Sequence, residues 1–351
     1  MKIGLIGLSN SGKTTILNAL AKTEAEVTAY ANTNIEPNIA IVNVGDERID
    51  TLSELYQPRK TTYATIEIMD YIGFSSENAD GKYIQSIKKS DALAHVIRNY
   101  EDDLLGEATP VKDMHDIDSE LILSDLVMVE NRLERIAANV KRGIKSNETV
   151  LEESVLKKIH EQLDNNKPIY NMALNKDEVR IISGFQFLTQ KPYFIILNSG
   201  EEDFGSNSEL IAELEKSHRV IEFAGKFEME LSKLEVQDEI DMFMEDIGIR
   251  ISARNRLSVF AYEALGYISF FTVGEDEVRA WAIKRGDTAV DAAGAIHSDL
   301  ARGFIRAECF SYHDLIEAGS EAALKKNGKY RLEGKDYIVK DGDILSIRFN
   351  V

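Results

Sequence analysis

One cysteine (Cys309), five prolines and one tryptophan stand in a chain of 351 residues. A lone cysteine makes no internal disulfide, so the fold must rest on packing, as suits a reducing compartment. Long apolar runs are missing as well. The longest are of strand length, well short of the roughly 20 residues that a membrane-spanning helix needs. The N-terminus turns polar at Ser9, too early for the apolar region of a signal peptide. The expectation is a cytoplasmic protein without a membrane partner. Positive charge is also scarce. Lys and Arg number 41 against 60 Asp and Glu, a net charge of −19, which argues against a generally nucleic-acid-binding surface and against DNA as a partner. The deficit is uneven: residues 267–351 hold 12 basic against 14 acidic side chains, so nearly all the acidity lies upstream.

What is present is the composition of a globular protein, 44% hydrophobic and 29% charged, long enough for two or three domains. The chain is organised around Gly7-Leu8-Ser9-Asn10-Ser11-Gly12-Lys13-Thr14. An apolar run, Lys2 to Ile6, precedes it and reads as a buried strand; Thr15 to Leu20 reads as the start of a helix. That is the strand–loop–helix context in which G-x-x-x-x-G-K-[ST] means a phosphate-binding loop. The glycines let the backbone close into a nest of N–H groups, and the helix N-terminus adds partial positive charge. Asn10, Ser11, Gly12 and Thr15 supply or flank those amides. Lys13 reaches β- and γ-phosphate oxygens, and the Thr14 hydroxyl is a ligand for Mg²⁺.

A polar stretch, Thr28 to Asn38, follows and reads as a loop able to change shape. Ile39 to Val44 and Ala64 to Met69 read as strands, the second ending in Asp70-Tyr71-Ile72-Gly73. An Asp at the end of a strand beside a phosphate loop holds Mg²⁺ through water, and the N–H of Gly73 approaches the γ-phosphate. Leu93 to Arg98 is a further strand, in which His95, flanked by apolar residues, reads as a core histidine. Ile122, Leu126, Val129, Leu133, Ile136 and Val140 form a heptad seam, and Leu156, Ile159 and Leu163 a return seam. Two antiparallel helices with a basic turn, Lys141 to Asn147, are expected to project from the domain. Pro192 to Leu197 returns to the sheet and ends in Asn198-Ser199-Gly200-Glu201. Arg219 to Phe223 ends in Ala224-Gly225-Lys226. Alternating strands and helices imply a doubly wound α/β sheet with its ligand across the C-terminal strand ends. Residues 227–247 read as polar helix and Leu257 to Gly266 as a linker helix. Beyond Tyr267 the pattern changes. Strands at Ile268 to Val273, Val278 to Ile283, Tyr337 to Val339 and Ile344 to Phe349 surround a helix at Ala289 to Ile296 and suggest a β-grasp-like domain.

These residues resemble the YchF/Obg-like ATPase family of P-loop GTPase relatives. The resemblance runs nearly the whole length. It is carried by the phosphate loop, Thr33-Asn34-Ile35-Glu36-Pro37-Asn38, Glu120 to Leu126, Glu130 to Arg135 and Leu188 to Pro192. Phe270 to Trp281, Ala292 to Asp299, Gly303 to Glu308 and Leu332 to Tyr337 carry the rest. It implies a nucleotide-binding domain at 1–118 and 166–266, an inserted coiled-coil hairpin at 119–165, and a C-terminal TGS domain at 267–351. It further implies ATP (or GTP) as ligand, Mg²⁺ as cofactor, slow hydrolysis, and the ribosome or ribosomal RNA as partner. The alternative is a nucleotide-responsive ribosome- or RNA-binding protein with little hydrolysis.

The base preference has a physical basis. GTP-specific relatives carry N-K-x-D, whose Asp accepts from guanine N1–H and its 2-amino group. Here the motif is Asn198-Ser199-Gly200-Glu201, and losing that bidentate pair costs guanine selectivity on the order of 10²-fold. Asn198, Ser199 and Glu201, with Ala224, Gly225 and Lys226, are expected around the base. Departures bear on catalysis. The family's switch Thr, a Mg²⁺ ligand, is Asn34 here; the segment after Gly73 is short; and the family's His proposed to position water falls at Glu107. The catalytic group is therefore left open between Lys13, Gly73 and Glu107, with binding retained and hydrolysis weak or altered.

Overall fold

The computed structural model describes residues 1–21, 37–71, 81–102, 105–144, 146–234 and 236–350. Asn34 and Gly73, and most of the stretch Thr28 to Asn38, lie outside these residues. The chain divides into two compact units. One is Lys2–Ala40 with Ile68–Arg250; the other is Ile41–Glu67 with Ile251–Val351, joined by Met1.

The first part of the chain alternates strand and helix: β1 (Lys2–Ile6), α1 (Lys13–Leu20), β2 (Asn38–Asn43), α2 (Glu47–Tyr56), β3 (Lys60–Thr62), β4 (Thr65–Asp70), α3 (Gly81–Ile87) and β5 (Ala92–Asn99). Two long helices follow, α4 (Pro110–Lys141) and α5 (Asn147–Asp164), then α6 (Lys176–Ile182), β6 (Tyr193–Ser199), α7 (Ser208–Leu214), β7 (Arg219–Phe223) and α8 (Gly225–Leu231). The order of the first sheet is β2-β4-β1-β5-β6-β7. Its pairs β1–β5, β5–β6 and β6–β7 are parallel, as the alternation of elements demands. Both faces are covered. Leu93 and Ile97 of β5 pack in clusters with Ile117, Leu121 and Met114 of α4, while the alternate residues Ala94 and Val96 are equally buried.

α4 is one helix of 32 residues with Pro110 in its first turn. Its first half packs on the sheet through Met114, Ile117 and Leu121. Its second half pairs with α5, burying Ile122, Val129 and Ile136 against Val155, Leu156, Ile159 and Leu163. The seam is the expected one up to its end, where Val140 is largely exposed. Asp125, fully buried on α4, accepts from the backbone N–H groups of Leu188 (3.0 Å) and Thr189 (2.7 Å) and from the Thr189 hydroxyl (2.8 Å). This ties the helix to the turn entering β6.

Residues 227–247 hold the rest of α8 and α9 (Gln237–Asp246), and the linker helix is α10 (Ala253–Ala264). The last part runs β8 (Tyr267–Thr272), β9 (Glu277–Lys284), α11 (Ala289–Ile296), α12 (Ser298–Arg302), β10 (Phe304–Ser311), α13 (Tyr312–Ala318), α14 (Glu321–Lys326), β11 (Arg331–Glu333) and β12 (Asp343–Phe349). The second sheet has the order β11-β10-β12-β8-β9-β3, around a core of Phe270, Ile283, Ala293, Ala307 and Leu345. Two expectations are corrected here. Tyr337 to Val339 is not a strand: a single bridge joins Ile338 to Thr288. The partner of the final strand is instead β10, antiparallel along its length, in a stretch not read as a strand. The short polar strand β3 pairs in parallel with β9. Trp281 packs: it stacks near-parallel on Phe270, and its indole N–H donates to the Thr272 hydroxyl.

Candidate nucleotide-binding site

The site is built at the C-terminal ends of β1, β4, β5, β6 and β7. β1 ends at Ile6, and the chain turns through Gly7–Gly12 into α1. Gly12 is the residue before the helix, with φ +95°, a conformation that L side chains rarely adopt; a Cβ there would lie 2.1 Å from Asn198 Nδ2. Gly12, at the N-cap, has no side chain to cap the first turn of α1, so the N–H groups of a helix N-terminus face the loop's concavity, where an anion is favoured.

Lys13 is buried and donates from Nζ to the carbonyls of Gly7 (3.0 Å) and Leu8 (2.8 Å), which curls its ammonium back over the loop. The Thr14 hydroxyl donates to Asp70 Oδ2 at 2.6 Å. Burial pulls the Lys13 amine below its ordinary range, an effect opposed by the charge of Asp70. Burial likewise pushes the Asp70 carboxyl up, against the Thr14 hydrogen bond and Lys13. Two hard oxygens, one of them anionic, thus stand together beside an ammonium. That donor set fits Mg²⁺. The third expected ligand, Asn34, lies outside the described residues, as does Gly73.

Asn198 links the two loops. Its amide Nδ2 donates to the Ser11 carbonyl (3.0 Å) and its Oδ1 accepts from the Gly225 N–H (3.1 Å). Both polar atoms are committed and the side chain is buried, so Asn198 joins the phosphate loop to the Ala224-Gly225-Lys226 turn. A side chain at Gly225 would collide with it, at 2.4 Å from Asn198 Oδ1. The Ala224 N–H is taken by Glu228 Oε1 (3.1 Å). Lys226 and Glu201 are exposed, and Thr15 is half-buried on α1. Ser199 is buried: its hydroxyl donates to Glu222 Oε1 (2.6 Å) and accepts from Asn99 Nδ2 (3.0 Å). Glu107 is exposed, and its loop is held by its main chain: Arg98 donates to the carbonyls of Gly106 (2.8 Å) and Glu107 (3.0 Å).

Several residues here carry no motif. Tyr100 donates from its hydroxyl to the Asn10 carbonyl (2.9 Å), pinning the phosphate loop from the end of β5. Arg98, Asn99, Asn207 and Glu222 brace the neighbouring turns. Their signal in the sequence is positional only: Arg98, Asn99 and Tyr100 close a central parallel strand at its C-terminal end. His95 is fully buried in the same strand, as expected, with Nδ1 2.7 Å from the Tyr193 hydroxyl.

A sheet with helices on both faces, a Gly-x₄-Gly-Lys-Thr turn onto a helix and an Asp beside the Thr hydroxyl define a P-loop nucleotide-binding protein. Residues 2–132 match the family described as 50S ribosome-binding GTPase, and residues 267–350 match the YchF-GTPase C-terminal family, described as "Protein of unknown function (DUF933)". The Bacillus subtilis ribosome-binding ATPase YchF is 37% identical over 364 residues, covering 99% of both chains. Its Haemophilus ducreyi counterpart is 39% identical, covering 100% of this chain and 99% of that one. The structure of the Schizosaccharomyces pombe YchF GTPase superposes with a TM-score of 0.83 at 29% identity, over 99% of this chain and 97% of the other. The chain belongs to the YchF family.

Proposed function

We propose that this protein is a cytoplasmic P-loop ATPase that binds Mg·ATP, hydrolyses it slowly and works on the ribosome. The observation that carries the reading is the joint placement of Lys13, Thr14 and Asp70, with Asn198 holding the phosphate loop to the Ala224–Lys226 turn. Lys13 and the loop amides bind the phosphates. Thr14 and Asp70 hold Mg²⁺, with Asn34 as a further oxygen ligand and Gly73 near the γ-phosphate. The ion would neutralise phosphate charge and orient the terminal phosphoryl group. The turn after β6, from Ser199 through Glu201, borders the base together with Ala224, Gly225 and Lys226. The ribosome as partner rests on the names of the relatives, and with a net charge of −19 the contact needs a local basic patch such as the Lys141–Asn147 turn. That turn caps the inserted hairpin, 119–165, between the two halves of the nucleotide-binding domain, 1–118 and 166–266; residues 267–351 form the TGS domain. Among the described residues no helix is long and apolar enough to cross a membrane.

A second reading keeps the binding and drops the hydrolysis. What favours it is Glu107: an exposed carboxylate where a water-positioning group is expected repels the γ-phosphate. Titration with ATP and GTP, with and without Mg²⁺, followed by turnover at saturation, tests both. Mg²⁺-dependent ATP binding with slow phosphate release is the expected outcome. Binding without release selects the second reading, and no binding of either nucleotide removes both.

A further inference from the structure

Between Ser199 at the end of β6 and Ser208 at the start of α7 the chain is a turn with no regular structure, and Gly205 within it has φ +81°. Its shape depends on individual hydrogen bonds. Three of them converge on one carboxylate. Glu222, on β7 opposite Leu197 of β6, accepts from the Ser199 hydroxyl (2.6 Å) and Asn207 Nδ2 (2.6 Å) at Oε1, and from the Gly205 N–H (3.1 Å) at Oε2. Asn207 Nδ2 also reaches the Asp203 carbonyl (2.7 Å), and the Gly200 N–H donates to the Asn99 carbonyl (3.2 Å). The turn is therefore tied at its beginning, near its tip and at its end by a single side chain from the neighbouring strand.

We infer that Glu222 is a positioning residue for base selection: it fixes the turn that carries Glu201 against the base, acting through Ser199, Gly205 and Asn207. The inference rests on the reading above that the base lies at this turn. Hydrogen bonds to a carboxylate are shorter and about twice as strong as neutral ones, so three of them give an irregular turn the rigidity of a strand end. Base discrimination depends on donors and acceptors held to within about half an ångström. A glutamine at 222 keeps the size but has one acceptor oxygen for the three donors, and its NH₂ faces another donor. The phosphate loop is held separately, by Asn198 and Tyr100, and does not depend on Glu222.

The test compares full-length native protein with Glu222→Gln, using calorimetric titration of ATP, GTP and inorganic tripolyphosphate, with a thermal melt as control. For Glu222→Gln the expected result is a loss of ATP affinity of about tenfold. The ATP-to-GTP ratio shifts several-fold, and tripolyphosphate binding stays within about twofold of native. Should Glu222→Gln fail to fold, Asn207→Ala carries the same comparison, with a smaller shift in the same direction. An unchanged ATP-to-GTP ratio overturns the inference, as does an equal loss for all three ligands. If the native chain already binds tripolyphosphate as tightly as ATP, the base site itself is refuted; that result appears in the native titration and is distinct from a failure of Glu222 alone.

Discussion

The Thr14 hydroxyl and Asp70 Oδ2 meet at 2.6 Å across 56 residues of sequence. Each is placed locally, but their meeting is not a local feature of either segment. Thr14 enters with the first turn of α1, set by the left-handed Gly12; Asp70 ends β4, which lies beside β1 in the sheet. The order of strands in the sheet brings two separate chain turns together, and the proposed ligand site lies there.

Replacing Asp70 by Asn keeps an oxygen for the Thr14 hydroxyl and removes the negative charge. The gain in ATP affinity on adding Mg²⁺ should then fall by about tenfold or more, while ATP binding without Mg²⁺ holds or improves as a repulsive charge near the phosphates is lost. Calorimetry in Mg²⁺ and in a chelator reads both. A Mg²⁺ effect equal to that of the native protein would place the ion elsewhere.

The Lys13 ammonium lies at the phosphate loop, and its two hydrogen bonds are to carbonyls of the loop itself. Lys13→Ala should weaken ATP binding by roughly 2–4 kcal/mol, the scale of a lost charge-assisted phosphate contact. Affinity unchanged by the substitution would show that the phosphates bind away from this loop.

How far the sequence discloses this depends on whether a feature is local. The phosphate loop is local, a pattern of eight residues between a strand and a helix, and Lys13, Thr14 and β1 follow from it. Asp70 is local too, at the end of an apolar run. The α4–α5 hairpin follows from a heptad period, although its start does not, because Pro110 to Leu121 bury a face against the sheet with no return seam to announce it. β10 is not legible as a strand because Phe304-Ile305-Arg306-Ala307 breaks simple alternation: Ile305 and Arg306 are both exposed between the buried Phe304 and Ala307, where the pairing with β12 shifts register. Tyr337 to Val339 shows the opposite: three β-formers read as a strand, yet their backbone makes only one bridge, to Thr288. The roles of Asn198 and Ser199 are non-local. The motif names both as neighbours of the base, but only the fold shows that the Asn198 amide is spent on Ser11 and Gly225 and the Ser199 hydroxyl on Glu222.

Glu107 gives a kinetic prediction. Its loop is already held in place by Arg98 through main-chain carbonyls, so substitution of the exposed side chain should leave the loop intact. An imidazole there removes the like-charge repulsion toward a γ-phosphate and can orient water. Glu107→His should raise single-turnover phosphate release at saturating Mg·ATP by about tenfold or more, short of the roughly 10²–10⁴-fold of a fully positioned acid–base group. A rate equal to the native one would remove Glu107 as the cause of slow turnover.

His95 gives a prediction about acid stability. It is fully buried; desolvation pulls its pKa down to about 3 from the ordinary 6.5, with Asp118 opposing the shift and His218 and Lys13 adding to it. The group facing it directly is the Tyr193 hydroxyl. At pH above 6.5 the imidazole is neutral in both the folded and the unfolded chain and contributes no pH dependence. Below 6.5 the unfolded imidazole takes up a proton and the folded one does not, so unfolding binds protons and stability falls as the pH falls. The loss approaches about 1.4 kcal/mol per pH unit and ends only near pH 3, where the folded ring also protonates. Denaturant titrations of the native protein and of His95→Asn, taken at intervals from pH 7 to pH 4.5, isolate this share, since every other group is common to the two. The variant should start less stable at pH 7, because it loses packing and the Tyr193 contact, and should lose stability less steeply on acidification by up to one proton. Parallel curves would mean that the folded imidazole titrates normally and is open to water, against its complete burial beneath the phosphate loop.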